Sequence, residues 1–440
     1  MNEERIAEAD RVDGPFAASR QQAALWALDH AGSGSLELNN VSATMLTGSL
    51  DVSVLERAFQ AVVRRHEILR TFLLPGPSGL QQYVAHESGT RLLSESLEEI
   101  ALADRNGRLE QLIDDERNTP FDLSASPMIR MRVVRLASGC HVMIRAVHHT
   151  AWDGASRGVF DRDLESLYEH FSGGKIDVRE PPVQYREYAE WQRLAGVTPD
   201  AARYWERYLD GMAKTLVARM PEPRGSTSAH FTRLMLPADK YANTKRLASA
   251  YGVSVAVLLL ALVGLTLARR SGQPACVVGV PIRNRPGLRF DGTIGLFSMM
   301  IPILVDPGEA DTLAALARRV QGAILDVQDH PCADVYRLVD ERFGQVGPIA
   351  ALIPATFSAP GSPRRPFTFG GLSTKACATQ PRRSHFGLQI NLRDLPSGAE
   401  LWCVARQSVY SFDAAESLLD EVDTCLERAL EHPACAVRPS

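Results

Sequence analysis

The chain has 440 residues, more than the roughly 250–300 that one hydrophobic core accommodates, so two packed units are expected. Hydrophobic residues make up 45% and charged residues 23%, with 48 Lys and Arg against 52 Asp and Glu for a net charge of −4. That balance excludes wholesale disorder and gives no electrostatic reason to expect nucleic acid or an anionic membrane as partner. The seven cysteines are odd in number and show no C-x-x-C spacing, which indicates neither a disulfide framework nor a zinc cluster. The N-terminal MNEERIAEAD lacks the apolar run of a signal peptide. The longest apolar stretch, residues 253–268, is too short for a membrane span and is broken by Ser254, Gly264 and Thr266. No membrane span and a cytoplasmic location are expected.

Taken in order, residues 51–65 predict an amphipathic helix, because Leu55, Ala58, Phe59, Val62 and Val63 repeat at helical spacing and Asp51 or Ser53 can cap its start. Residues 68–74 predict a strand that Pro75 ends. Residues 128–136 and 142–147 predict the arms of a hairpin, with Arg130 and Arg132 alternating against apolar neighbours in the first arm. The second arm runs directly into His148-His149. Phe160, Leu164, Leu167, Tyr168 and Phe171 form a helical stripe that Ser172-Gly173-Gly174 stops. Residues 173–185, with Gly-Gly and Pro181-Pro182, are the linker candidate. Helices near 199–209 and 251–270 follow, then a strand at 276–280, a Pro/Arg/Gly-rich loop at 281–293 and a strand at 301–305. A terminal amphipathic helix from Phe412 carries Ala414, Leu418, Val422, Cys425 and Ala429 on one side. Helices and strands alternate in both halves, which argues for an α/β protein of two similar lobes, residues 1–175 and 176–440.

The segment that can carry chemistry is His148-His149-Thr150-Ala151-Trp152-Asp153-Gly154. Adjacent residues at a strand end point to opposite sides, so one histidine faces a cleft while the other packs. A neutral imidazole is suited to take a proton from an amine or alcohol. Asp153, at a turn made by Gly154, either acts on the histidine or is pinned by an arginine. The same residues also fit a purely structural histidine pair closed by an Asp-Gly turn, and the segment alone leaves both readings open. There is no H-E-x-x-H, and adjacent histidines do not easily chelate one ion, so no metal is expected. A phosphate loop of the G-x-x-x-x-G-K-[ST] type is absent from the sequence.

The H-H-x-x-x-D-G pattern resembles that of nonribosomal peptide synthetase condensation domains, in the chloramphenicol acetyltransferase-like superfamily. Other blocks of that family recur in order. Ser19-Arg20-Gln21-Gln22-Ala23-Ala24-Leu25-Trp26 resembles S-x-A-Q-x-x-L-W, with Gln21 in place of Ala. Arg65-His66-Glu67-Ile68-Leu69-Arg70-Thr71-Phe72 resembles R-H-E-x-L-R-T-x-F, with the Phe one place early. Tyr185-Arg186-Glu187-Tyr188-Ala189-Glu190-Trp191 is similar to Y-x-D-Y-A-x-W, with Glu187 for Asp. Ile294-Gly295-Leu296-Phe297 and Gln328-Asp329-His330-Pro331 resemble the last two blocks.

The resemblance implies two acetyltransferase-like lobes in a V-shaped pseudodimer with a central tunnel, the C-terminal lobe carrying a floor loop and latch. It implies a condensation enzyme of nonribosomal peptide or hybrid polyketide biosynthesis. Such an enzyme moves an acyl or aminoacyl group from the phosphopantetheine arm of a carrier protein to a small-molecule amine or alcohol, with no bound cofactor. His149 is then the general base or positioning group and His148 the inward structural member. Asp153 fixes the loop through Arg65 or Arg70, with Arg70 favoured. Gly154 permits close backbone approach and offers its N–H to an oxyanion. Trp26 and Trp191 pack the core, and His66 and His330 are satisfied structural histidines. Met299 stands where the family carries the Asn of F-V-N-T, which leaves room for an unusual acceptor or an ester product. Arg283, Arg285 and Arg289 offer a basic loop to an acidic carrier helix. From its length and initiator methionine the chain is expected to be free-standing and monomeric, meeting acyl- or peptidyl-carrier proteins in trans. Two alternatives are a coenzyme-A-dependent O-acyltransferase of the same superfamily and a catalytically silent carrier-recruitment domain.

Overall fold

The computed structural model describes residues 12–31, 36–174, 182–215, 226–308, 312–331, 353–359, 369–377 and 379–434, with residues 335, 338, 339, 342 and 436. In chain order its elements are β1 (Val12–Ala17), α1 (Arg20–Ala31), β2 (Asn39–Thr47), α2 (Val52–Arg65), β3 (Thr71–Gly76), β4 (Gly79–Ala85), β5 (Leu92–Ser96), α3 (Leu102–Asn118), β6 (Ile129–Ala137), β7 (Cys140–His148), α4 (Ser156–Phe171) and α5 (Tyr185–Ala195). There follow α6 (Pro199–Thr215), β8 (Ala229–Pro237), α7 (Ala238–Tyr251), α8 (Val255–Ser271), β9 (Cys276–Ile282), β10 (Met299–Val305), α9 (Leu313–Asp329), β11 (Ala355–Ser358), β12 (Ser373–Ala376), β13 (Leu388–Leu395), β14 (Gly398–Arg406) and α10 (Phe412–Glu431).

Packing separates two units. The first comprises Met1–Ala195, Arg283–Ser298 and Arg364–Thr379. It holds a five-stranded sheet in the order β12-β2-β7-β6-β5 and a three-stranded sheet in the order β1-β4-β3. The α2 stripe is the one its periodicity predicts: Leu55, Ala58, Phe59, Val62 and Val63 are buried, and the Asp51 carboxylate accepts from the Ser53 and Val54 amides. An N-cap of that kind contributes about 1 kcal/mol. The second unit comprises Gly196–Ile282, Met299–Pro363 and Gln380–Ser440. Its six-stranded sheet runs β10-β9-β11-β13-β14-β8. The core helix α8 is buried along residues 257–268, so its apolar run is core filling. Among the described residues no single helix is long and apolar enough to cross a membrane.

Several sequence expectations shift. The helix expected over 251–270 begins later, at Val255, and Tyr251 ends the helix before it. Gly252 ends α7 in the left-handed conformation (φ 73°), and Ser254 then caps α8 by accepting from the Val257 amide. The strand expected over 68–74 begins later, after a 3-10 turn at Glu67–Arg70, and continues through Pro75 to Gly76. Proline is tolerated there because β3 lies at a sheet edge and needs no ladder donor on its open side. In α10 the buried stripe is Ala415, Leu418, Leu419, Val422, Leu426 and Ala429, so Ala414 and Cys425 sit at its margin. The division expected at 175/176 moves to Ala195, and residues 175–181 of the linker candidate lie outside the described residues. Helix α5 joins the first unit because Tyr185 and Tyr188 bury with Phe290, Ile294, Leu296 and Phe297 in one apolar cluster.

Gly264 of α8 approaches β10 so closely that a Cβ there would stand 2.5 Å from the Val305 side chain. Gly264→Ala adds about 1 kcal/mol of helix propensity and about 1–3 kcal/mol of overpacking, so a net loss of stability is expected. Urea unfolding midpoints measure it; a raised midpoint would show that the strand yields freely.

Candidate active site

Strand β7 delivers His148 and His149 to a 3-10 turn over His149–Ala151. Trp152 N donates to His149 O at 3.1 Å, and His149 Nδ1 lies 2.6 Å from Trp152 O. A carbonyl oxygen only accepts, so Nδ1 carries a proton, and in the neutral form of this half-buried ring Nε2 keeps the lone pair. His148 faces the other way and is buried. Its Nδ1 accepts from the Thr150 amide at 3.3 Å, which places its own proton on Nε2, 3.9 Å from Asp29 Oδ1. Burial, then the neighbouring His149 and Arg130, push the His148 pKa down to about 3, and the ring is neutral.

Asp153 is buried and fully engaged. Its Oδ1 accepts from Arg285 Nη2 at 3.0 Å and from Ser156 N at 2.8 Å, and its Oδ2 from Phe297 N at 3.3 Å. Arg285 is equally enclosed: Nη1 donates to Phe290 O at 2.7 Å and Thr293 O at 2.6 Å, and the guanidinium lies 4.0 Å over the Phe297 ring. The partner expected for Asp153 from the second block is therefore wrong. Arg65 instead bonds Asp163 of α4 at 2.8 Å, and Arg70 donates to the Ala85 carbonyl. Arg65 sits at the end of α2, against α4, and Arg70 closes the 3-10 turn beside β4, so neither projects to the motif turn. His66 Nε2 shares Asp163 at 2.8 Å, and burial pushes the His66 pKa down.

The remaining blocks assemble around this pair. Ser156 Oγ lies 2.7 Å from Asp153 Oδ1 and accepts from Gly295 N at 3.0 Å. Gly295 in turn meets Tyr185, where a Cβ would fall 2.0 Å from the ring. Burial holds the Tyr185 phenol protonated, so its O–H donates to Leu296 O at 2.7 Å and Ser19 Oγ, 2.8 Å away, donates to the phenol oxygen. Trp191 is partly buried against the same cluster and stacks on Tyr188, and Trp26 stacks on His30 at 3.8 Å. Far along the chain, His330 caps α9 and stacks on Tyr204.

Other expectations fare differently. Gly154 is exposed, and a Cβ there would meet nothing within 4 Å, so among the described residues no part of the chain demands glycine at that point. Met299 fills the core of the second unit on β10. The basic loop is largely self-engaged: Arg283 pairs with Asp291, Arg285 with Asp153, and Arg289 covers the Phe290 ring at 4.4 Å. Sequence reasoning missed Arg285, which nothing distinguished from its neighbouring arginines. Ser156 was missed as well; the signal that could have found it is its place three residues after Asp153, where its amide reaches the carboxylate just before the helical stripe. Among the described residues no group of three or more His, Cys, Asp or Glu stands ready to hold a metal ion.

Two outcomes follow from this geometry. Arg285→Met strands the Asp153 carboxylate and is expected to cost about 3–5 kcal/mol, whereas adding Asp153→Asn recovers much of that loss. Denaturant titration compares the two, and a double variant no more stable than the single would remove the ion pair as the fastening. His148 is neutral when folded down to about pH 3 but protonates near 6.5 when unfolded. The unfolded state therefore binds the extra proton between those values. Stability from this residue is complete above pH 6.5 and falls by up to about 1.4 kcal/mol per unit as the pH drops towards 3. His148→Asn should flatten the acid limb of the stability–pH profile, and an unchanged limb would assign it to other groups.

A family model for the condensation domain matches residues 13–439. Chondramide synthase cmdD of Chondromyces crocatus is 28% identical over 87% of this chain, which covers 10% of that protein. Phosphinothricin tripeptide synthetase PhsC of Streptomyces viridochromogenes is 30% identical over 75% of this chain and 31% of its own length. The chain thus spans less than a third of either relative. Among solved structures, the first condensation domain of the calcium-dependent antibiotic synthetase, in complex with substrate analogue 3a, superposes with a TM-score of 0.81 at 20% identity, covering 97% of this chain and 98% of that one. The condensation domain of the Monacolin K polyketide synthase MokA gives 0.80 at 19% identity, covering 97% and 100%. These structures share the mixed α/β fold. The chain belongs to the condensation domain family.

Proposed function

We propose that this domain transfers an acyl or aminoacyl group from the phosphopantetheine thioester of a carrier protein to an amine or alcohol acceptor, forming an amide or an ester. The observation that carries this reading is the tautomer of His149. Its Nδ1–H is held by the Trp152 carbonyl, so a half-buried ring keeps one basic nitrogen in a fixed direction. Asp153 is occupied by Arg285, Ser156 and the Phe297 amide, which supports a role in holding the loop rather than in relaying charge to the ring.

In the proposed step, the acceptor nitrogen or oxygen attacks the thioester carbonyl carbon while its proton passes to His149 Nε2. The tetrahedral oxyanion then collapses, the carbon–sulfur bond breaks, and the departing pantetheine thiolate takes the proton back from the imidazolium. The thioester supplies the driving force, and the Nδ1–H bond to Trp152 persists through both protonation states.

The test is mass-spectrometric product detection with acyl thioesters offered on a carrier protein and on coenzyme A, with amine and alcohol acceptors. Carrier-dependent product is expected from the wild type, with His149→Ala lowering turnover by roughly 10²–10⁴-fold at an unchanged melting temperature. The product mass separates amide from ester. Equal use of coenzyme A thioesters would redirect the assignment to an O-acyltransferase. Binding of a loaded carrier with no product from either form would leave a recruitment domain.

A further inference from the structure

We infer that Arg145 is a positioning residue for His149 that acts through Trp152, an inference that rests on the proposed role of His149. Arg145 lies on β7 and is 4% exposed. Its Nη1 donates to Asp161 Oδ1 at 2.7 Å, and its Nη2 donates to Ser42 Oγ at 3.3 Å. The guanidinium carbon stands 4.9 Å from the centroid of Trp152 and 4.7 Å from that of Phe160. The two rings meet edge to face at 5.8 Å. The indole is therefore held between a desolvated cation and an aromatic edge, a setting in which a cation–π contact is at its strongest.

That indole belongs to the residue whose carbonyl fixes the histidine. His149 and Trp152 are tied reciprocally, Trp152 N donating to His149 O and His149 Nδ1 donating to Trp152 O. Turning the Trp152 peptide breaks the second bond and frees the imidazole to rotate or change tautomer. Asp153, the next residue, pins the loop on one side through Arg285. The side chain of Trp152 supplies the other fixed point, and Arg145 and Phe160 hold it. Arg145 thus sets the direction of His149 Nε2 through Trp152. A residue that only filled the core would affect the melting temperature and leave the imidazole unchanged.

The experiment uses the full chain. Arg145→Met alone would leave Asp161 without its buried partner, so the principal variant is Arg145→Met with Asp161→Asn, which removes both charges. Trp152→Leu is the second, since it keeps the Arg145–Asp161 pair and the backbone carbonyl but removes the clamped ring. Histidine-selective isotope labelling and NMR read the His149 tautomer without any substrate, with His149→Ala assigning the signal. The wild type is expected to show one Nδ1–H tautomer, and both variants a mixture of the two. In the condensation assay kcat should fall by roughly 10²-fold with KM near its wild-type value, as for a small misplacement of a reacting group. A folded variant with the wild-type tautomer overturns the inference, whether its kcat is kept or lost. Full turnover by His149→Ala would instead sink the proposed function, while the NMR result still decides the clamp.

Discussion

The architecture around the motif turn depends on one buried ion pair, Asp153 with Arg285, which joins residues 132 positions apart. Two charges taken from water cost several kcal/mol each unless their remaining donors and acceptors are met. Here the carboxylate gains two backbone amides besides the guanidinium, and the guanidinium gains two carbonyls and the Phe297 face, although its buried Nε meets no partner among the described residues. The cost is offset only when the turn after β7 and the segment Arg283–Ser298 are both in place. That condition makes the pair a registration device: neither segment can slip by a residue without stranding a charge. Gly295, Tyr185 and Ser19 then follow, since each bonds or packs onto a group that the pair has already fixed.

The two adjacent histidines show how environment divides one residue type into two roles. Strand geometry sends them to opposite faces, and the turn gives each a different bond through Nδ1. His148 accepts from a backbone amide, is buried and stays neutral, so it serves as a fixed polar plug. His149 donates to a carbonyl and keeps an accepting nitrogen on a half-buried ring. Both tautomers are dictated by backbone groups, which cannot change their donor or acceptor character. The chemistry is therefore set by the shape of a turn of a few residues, and the rest of the unit maintains that shape.

What the sequence disclosed divides along the same line. Local features were legible: the α2 stripe and its Asp51 cap, the β6–β7 hairpin that ends in the histidines, and the glycine stop after α4 all follow from periodicity and capping chemistry. Element boundaries failed where tertiary context overrode a local rule. Proline inside β3 is acceptable only at an edge, and Gly252 with Ser254 ends one helix and starts the next, so the helix expected from Tyr251 begins at Val255. The partner of Asp153 was illegible for a different reason. Arg65, Arg70 and Arg285 are chemically equivalent in sequence, and only the packing of Tyr185, Tyr188 and Phe297 brings Arg285 to the turn. The same packing draws α5 and the loop before β10 into the first unit, which no composition shift announces.

The choice of polar fastenings around this turn has a physical logic. Apolar contacts are non-directional and tolerate small slides, so a turn held by them alone would place the imidazole only loosely. Hydrogen bonds and ion pairs weaken steeply with distance and angle, and when buried they penalise any arrangement that leaves a partner unmet. Such a set adds little net stability for the number of bonds it contains, but it separates the working conformation from its neighbours by a wide margin. The proposed proton transfer at His149 Nε2 needs that separation, because a ring turned away from its acceptor contributes nothing. Ser156 shows the economy of the arrangement: one hydroxyl touches Asp153 and both polar groups of Gly295, and so couples the start of α4 to the loop that carries Arg285.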